Sequence, residues 1–215
     1  MASQIHIVRH AESVHNVTKD FTKLDPSLTD LGFEQAGQLV QNFPESSSIG
    51  VIITSPLKRA VQTTLAGFPH VLEKSNFALG SNPGGIENGA KLIVDPDLQE
   101  RSDLPCDTGS DRSVLETTFP GVDFGAVESG WQSKEGAYSA DDESVKARAY
   151  KVRRRLAALA EKLKNEQKKD IVVVTHGVFM KFLSGDPNID LPKAGWNSYT
   201  IEEDSSGDAV LRQAV

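Results

Sequence analysis

The chain has 215 residues, 38% apolar and 25% charged, enough for one substantial hydrophobic core; at roughly 100 to 200 residues per domain, a single domain over 1–215 is expected. No apolar run approaches the ~20 residues of a membrane span, and a net charge of −7 repels nucleic acid unless a local basic patch overrides it. Cys106 is the only cysteine, which excludes an intrachain disulfide, and "MASQIHIVRHAE" lacks the layout of a secretory signal, so the expected location is the cytoplasm.

The first element is a β-branched run, Ile5 to Val8, that ends in Arg9 and His10. Thr29 can cap a helix running to about Phe43. A second apolar run, Val51 to Thr54, is followed by Ser55 and Pro56, an N-cap and first-turn proline for a helix reaching about Phe68. Ser81 to Ala90 reads as a Gly- and Asn-rich loop, and 102–140 as a long segment rich in turn residues. That length suits a lid or binding insertion better than an idle connection.

From Asp141 onward Val145, Ala149, Val152, Leu156, Leu159 and Leu163 form one apolar stripe on a long helix, with acids at its start and bases towards its end. Its Arg153, Arg154 and Arg155 read as a solvated face. The third β-branched run, Ile171 to Thr175, ends in His176 and Gly177 and gives way to a helical pattern; Ser198 to Ile201 and Ala209 to Arg212 read as the last strands. Uninterrupted β-branched runs alternating with helices predict an α/β three-layer sandwich, a mostly parallel central sheet flanked by helices.

In such a sheet, ligands gather at the carboxyl ends of the strands. Arg9, His10, Ser55 with Arg59 one helical turn on, and His176 all fall at those ends. Two arginines and two histidines suit a phosphoryl group, because guanidinium donates fork-like to its oxygens and imidazole can attack phosphorus or donate to it. No HExxH or Cys-Cys-His spacing suggests a metal. Gly84 and Gly89 have phosphate-loop spacing, but Ala90 stands where the lysine belongs, and no GxGxxG follows the first strand.

"VRHAESVHN", "LTDLGFEQA", "ITSPLKRAVQTT", "LQE" and "VVTHGV", in that order, resemble the histidine phosphatase superfamily, also called phosphoglycerate-mutase-like proteins. "LQERSDLPCDTGSD" and "WQSKEGAYSADDES" also resemble a fungal group within it. The resemblance implies a phosphoglycerate-mutase-like fold, His10 as the nucleophile of a phosphohistidine intermediate, and no cofactor. Arg9, Arg59 and His176 would bind the phosphoryl group, Asn16 would bond its rim, and Glu100 would protonate the leaving oxygen and then activate water. Asp103, Asp107 and Glu12 are rival carboxyl groups. Ala11 departs from the family pattern, which commonly has Gly after the Arg-His pair.

His6, His15 and His70 match no motif and read as structural, Ser13 as a cap, Cys106 as passive packing, and Trp131 and Trp196 as aromatic packing. From Arg101 to Ala140 three bases face seven acids, a field that opposes the doubly phosphorylated intermediate of a mutase. The expected function is therefore metal-independent hydrolysis of a small phosphomonoester. The alternatives are mutase-type phosphoryl transfer and a phospho-ligand binding module without turnover; neither nucleic acid nor membrane is an expected partner.

Overall fold

Strand β1 (Ile5–Arg9) leads through the short helix α1 (Val14–Thr18) to α2 (Asp30–Gly37) and α3 (Leu39–Asn42). Strand β2 (Ile49–Thr54) leads to α4 (Lys58–Gly67), and β3 (Lys91–Val94) to a long segment holding α5 (Arg112–Thr118). Helix α6 (Asp142–Leu163), β4 (Asp170–Thr175), α7 (Phe179–Ser184) and the hairpin of β5 (Trp196–Glu203) and β6 (Ala209–Gln213) follow. The computed structural model describes residues 3–44, 46–77 and 84–214, so residues 81–83 of the Gly- and Asn-rich loop lie outside the described residues.

The six strands form one sheet in the order β3-β2-β4-β1-β5-β6, parallel over the first four and antiparallel where β5 joins β1 and β6 joins β5. Burial on both faces explains why the middles of the inner strands are mostly apolar. Ile5, Ile7, Ile171 and Val173 face α6 and α7, where Val145, Val152, Leu156 and Phe179 cover them. Val8, Ile52, Val172 and Val174 face the opposite way, onto Ala36, Leu39, Ala60 and Phe68 of α2 to α4. Each fully buried side chain of this size stabilises the fold by about 1.5–3 kcal/mol, and the buried polar residue of β1, His6, is accommodated by a bond between its Nδ1 and Ser198 Oγ. This is the expected three-layer α/β sandwich.

Four sequence expectations need correction. The helix capped by Thr29, whose hydroxyl accepts from Gly32 N–H, divides at Gln38 into α2 and α3 beside the weak helix former Gly37. Helix α4 starts at Lys58 and not at Pro56, because Leu57 holds an extended ψ of 133°. Strand β3 is absent from the sequence reading; it is a four-residue edge strand with only Val94 buried. The arginines of α6 are not simply solvated: Arg153 donates to the carbonyls of Phe182 and Ala209, and Arg155 pairs with Asp95 and Asp97.

The segment 102–140 is also more ordered than its composition suggests. Leu115, Phe119, Phe124, Val127 and Trp131 pack with Leu57, Val61 and Val94 into a third apolar cluster. Buried Asp25 ties this segment to α4, its carboxylate accepting from Lys58 N–H and Ser110 N–H, both at 3.0 Å. Among the described residues no helix is long and apolar enough to cross a membrane.

Candidate active site

The register of β1 against β4 sets Arg9 beside Thr175. Backbone pairing continues one residue beyond the strands, with His10 N–H donating to Thr175 O (2.9 Å) and Ser55 N–H to Val174 O (3.1 Å). His10, Ser55 and His176 therefore leave one carboxyl edge together, and the two imidazole rings lie 5.1 Å apart. His176 is fully buried and bonded through Nε2 to Ser55 Oγ (2.8 Å), while its Nδ1 has no hydrogen-bond partner.

The contacts of His10 determine its tautomer. Nδ1 lies 2.7 Å from Ala11 O, and a carbonyl only accepts, so Nδ1 carries the proton. Nε2 then presents its lone pair, towards which Arg59 Nε donates at 3.3 Å. Burial, followed by the charges of Arg59 and Lys193, lowers the His10 pKa well below 6.5, so the ring is neutral at pH 7. A neutral imidazole with Nε2 free of a proton is a nucleophile. The methyl of Ala11 is buried in the apolar cluster on the α2 to α4 side, and Ala11 N–H donates to Thr63 Oγ1.

Arg59 is fully buried, with Nη1 donating to Cys106 O and Nη2 to Asp107 Oδ1, each at 2.7 Å. Arg9 pairs with Asp190 (3.0 Å) and donates to Leu191 O, leaving Nε buried without a partner. Glu100 accepts three backbone bonds: Oε1 from Arg101 and Phe179, and Oε2 from Val178 at the start of α7. Those donors favour the carboxylate, yet burial and the negative charge of Asp107 prevail and raise its pKa. Lys134 donates to Gln99 Oε1 and Glu100 O, holding the turn that carries Glu100.

These groups surround a cavity of about 300 Å3. Arg9, His10, Asn16, Arg59 and Glu100 line it, and His176 stands behind His10. Among the rival carboxyl groups, Asp107 lines it too. Asn16 is committed to local bonds, with Oδ1 accepting from Ser13 and Nδ2 donating to His15 Nε2 (3.1 Å). His15, which reads as structural in sequence, lines the same cavity; burial and then Arg59 lower its pKa to about 4. Lys193 and Lys181 also line it, and no motif marks either one. A larger concavity of about 930 Å3 between α6 and the β5–β6 hairpin holds no imidazole or thiol, so the chemistry favours the smaller one.

One trio, His15, Cys106 and Asp107, brings metal-ligand atoms within 4.8 Å of one another. Its members are otherwise engaged: Asp107 accepts from Arg59 and Ser102, both His15 nitrogens are bonded, and burial pushes the Cys106 thiol up to about 11. Cys106 and Trp131 serve packing, with Trp131 Nε1 donating to Ser110 O. Trp196 lies against Phe43.

Comparison with known proteins agrees with this geometry. A family model of the histidine phosphatase superfamily (branch 1) matches residues 5–70. A probable phosphatase of Schizosaccharomyces pombe is 33% identical over 200 residues, spanning 88% of this chain and 83% of its own. Phosphoglycerate mutase-like protein 1 of Arabidopsis thaliana is 28% identical over 203 residues, spanning 82% of this chain and 68% of its own. Among solved structures, a mycobacterial glucosyl-3-phosphoglycerate phosphatase in complex with VO3 shares the fold, with a TM-score of 0.61 and 20% identity over 100% of this chain and 98% of that one. With the arginine and histidine pairs meeting at one sheet edge and a fungal relative matched over most of both chains, this protein belongs to the histidine phosphatase superfamily.

Proposed function

We propose that the protein hydrolyses a small phosphomonoester through a phosphohistidine on His10 Nε2, without a cofactor. The observation that carries this reading is the buried, neutral His10, with Nδ1–H held by Ala11 O and Nε2 facing the Arg59 guanidinium at 3.3 Å. The Nε2 lone pair attacks phosphorus, and the ester P–O bond breaks. The departing oxygen takes the Glu100 proton. In the second step Glu100, now a carboxylate, accepts a proton from water; the resulting hydroxide attacks phosphorus, the P–N bond breaks, and phosphate leaves with His10 neutral again. Arg9 and Arg59 offset the phosphoryl charge, His176, which burial and Arg59 keep neutral, offers it a hydrogen bond, and the Asn16 amide, with one N–H left beyond its bond to His15, reaches its rim. The cover formed by 102–140 acts as a lid carrying Asp107 and Cys106 to Arg59.

The test is phosphate release from an aryl phosphate and from sugar, nucleotide and glycerate phosphates in the presence of a chelator. Release with trapping of a phosphoryl group on His10 is the expected result. Isomerisation of phosphoglycerate without net release would indicate a mutase, and ligand binding without either would indicate a binding module.

Gly177 supplies a more local prediction. A Cβ built there lies 3.1 Å from Arg9 Nη2 and 3.3 Å from its Cζ, so any side chain displaces the guanidinium. Gly177→Ala is expected to shift the guanidinium by a few tenths of an ångström and to lower kcat/KM by up to about 10-fold, less than a full ångström misplacement would cost, with little change in Tm. Wild-type kinetics in Arg9→Met, and not in Gly177→Ala alone, would remove Arg9 from the phosphoryl clamp.

A further inference from the structure

We propose that Lys193 is a phosphoryl-binding residue of this site, its ammonium donating to a non-bridging oxygen of the group bound at His10. The assignment rests on the phosphatase reading above and adds a cation that no motif marks. Two observations on the geometry support it, and the electrostatics of the site agree with them.

First, Lys193 is half-buried on the cavity wall, and among the described residues its amine makes no hydrogen bond or ion pair. The arginines differ in this respect. Arg9 faces Asp190 and Arg59 faces Asp107, so each guanidinium already has a carboxylate beside it. A phosphoryl dianion entering the cavity therefore meets two offset charges and an unpaired ammonium.

Second, a strained turn holds the lysine there. Gly195 N–H donates to Pro192 O (2.9 Å), closing a four-residue turn in which Ala194, 7% exposed, has φ +58°. Residues with a Cβ seldom adopt that conformation, and it persists where surrounding contacts impose it. Here Arg9 N–H donates to Gly195 O (2.9 Å), fastening the turn to the strand end that carries Arg9 and His10.

The lysine's field also reaches the nucleophile. Arg59, then Lys193, then Arg9 are the cations that depress the His10 pKa, and Lys193 also acts on His15 and His176. Lys181, on the same wall, stands on α7 and not on the turn fastened to Arg9, and it is not among the largest charges acting on His10, so the assignment falls on Lys193. Burial and the neighbouring Arg9 and Arg59 lower the amine to about 8, against the opposing pull of Glu100 and Glu12. An ammonium held at that disadvantage gains from a bound anion.

Calorimetric titration of inorganic phosphate at pH 7 into wild type, Lys193→Met and Lys193→Arg, with kcat/KM measured alongside, tests the assignment. Loss of a charge-assisted hydrogen bond is expected to weaken phosphate binding and lower kcat/KM by about 10- to 100-fold in Lys193→Met. Lys193→Arg, which keeps the charge, should restore most of both. Lys193→Gln, which keeps most of the stem, should behave like Lys193→Met if charge and not packing is responsible. Phosphate affinity within about twofold of wild type in Lys193→Met would overturn the role while leaving a phosphatase that binds phosphate and turns over. A wild type that neither binds nor releases phosphate would overturn the phosphatase reading itself, and this assignment with it.

Discussion

A His10→Ala protein is expected to lose phosphate release by a factor on the order of 10^4 or more and to form no phosphoenzyme, because the truncation removes the only atom proposed to bond phosphorus. Compensation by a neighbour is opposed by the geometry. His176 is engaged through Nε2 with Ser55, and both His15 nitrogens lie in a local ring of bonds with Ser13 and Asn16. The stability effect should be modest: Arg59 loses the His10 Nε2 acceptor but keeps Cys106 O and Asp107, while Ala11 O loses the Nδ1–H donor. An unsatisfied buried group costs about 1–3 kcal/mol, well within what a domain of this size tolerates. Acid-quenched enzyme digested and analysed by mass spectrometry should carry a phosphoryl group on the His10 peptide in wild type and none in the variant. Residual turnover within a factor of about ten of wild type would require a different nucleophile.

The inner sheet and the gathering of Arg9, His10 and His176 at its edge are legible in sequence because one physical cause produces both signals. Strands covered on two faces are apolar at most positions, so a cation or imidazole that ends such a run stands out, as Arg9, His10 and His176 do. Where burial is partial, that contrast disappears. Strand β3 has one buried residue in four and gives no strand signal in sequence, although it carries the chain towards Glu100. His15 sits in the short helix α1 and matches no motif; only the fold brings its ring within 6.4 Å of that of His10, on the cavity wall. Arg153 and Arg155 look like a charged helix face until the carbonyls at the end of α7 and the carboxylates of Asp95 and Asp97 are brought to them from distant sequence. Asp107 is a rival acid in sequence, and its pairing with Arg59 across 48 positions follows from how 102–140 folds over the edge. The acidic balance of that segment also misstates the field of the cavity. Glu116 is paired with Arg112, and Asp123 caps Gly125 N–H, whereas Lys181 and Lys193 on the cavity wall come from elsewhere in the chain.

Replacing Glu100 by Gln should separate substrates by their leaving groups. Two influences oppose one another at this carboxyl group. Three backbone N–H donors favour the anion, while burial and then the charge of Asp107 favour the neutral acid and prevail. A raised pKa means that the proton is retained to higher pH than an ordinary carboxyl group allows, so the acid form persists upward from 4.5. For alkyl phosphates, whose departing oxygen is strongly basic, loss of that proton should reduce kcat/KM by roughly 10^2- to 10^4-fold. For nitrophenyl phosphates, whose leaving group departs as a stable anion, the reduction should be much smaller, and the dependence of rate on leaving-group pKa should steepen. The variant should also be less stable. If the Gln oxygen takes the place of Oε1 it keeps the bonds from Arg101 and Phe179, but its amide then opposes Val178 N–H, at a cost of about 1–3 kcal/mol. Kinetics read well below the variant's Tm therefore isolate the proton from the packing. An equal fall across the series would make Glu100 a brace for the start of α7 and move the acid role to another carboxyl group on the wall, Asp107 beside Arg59 or Asp190 beside Arg9.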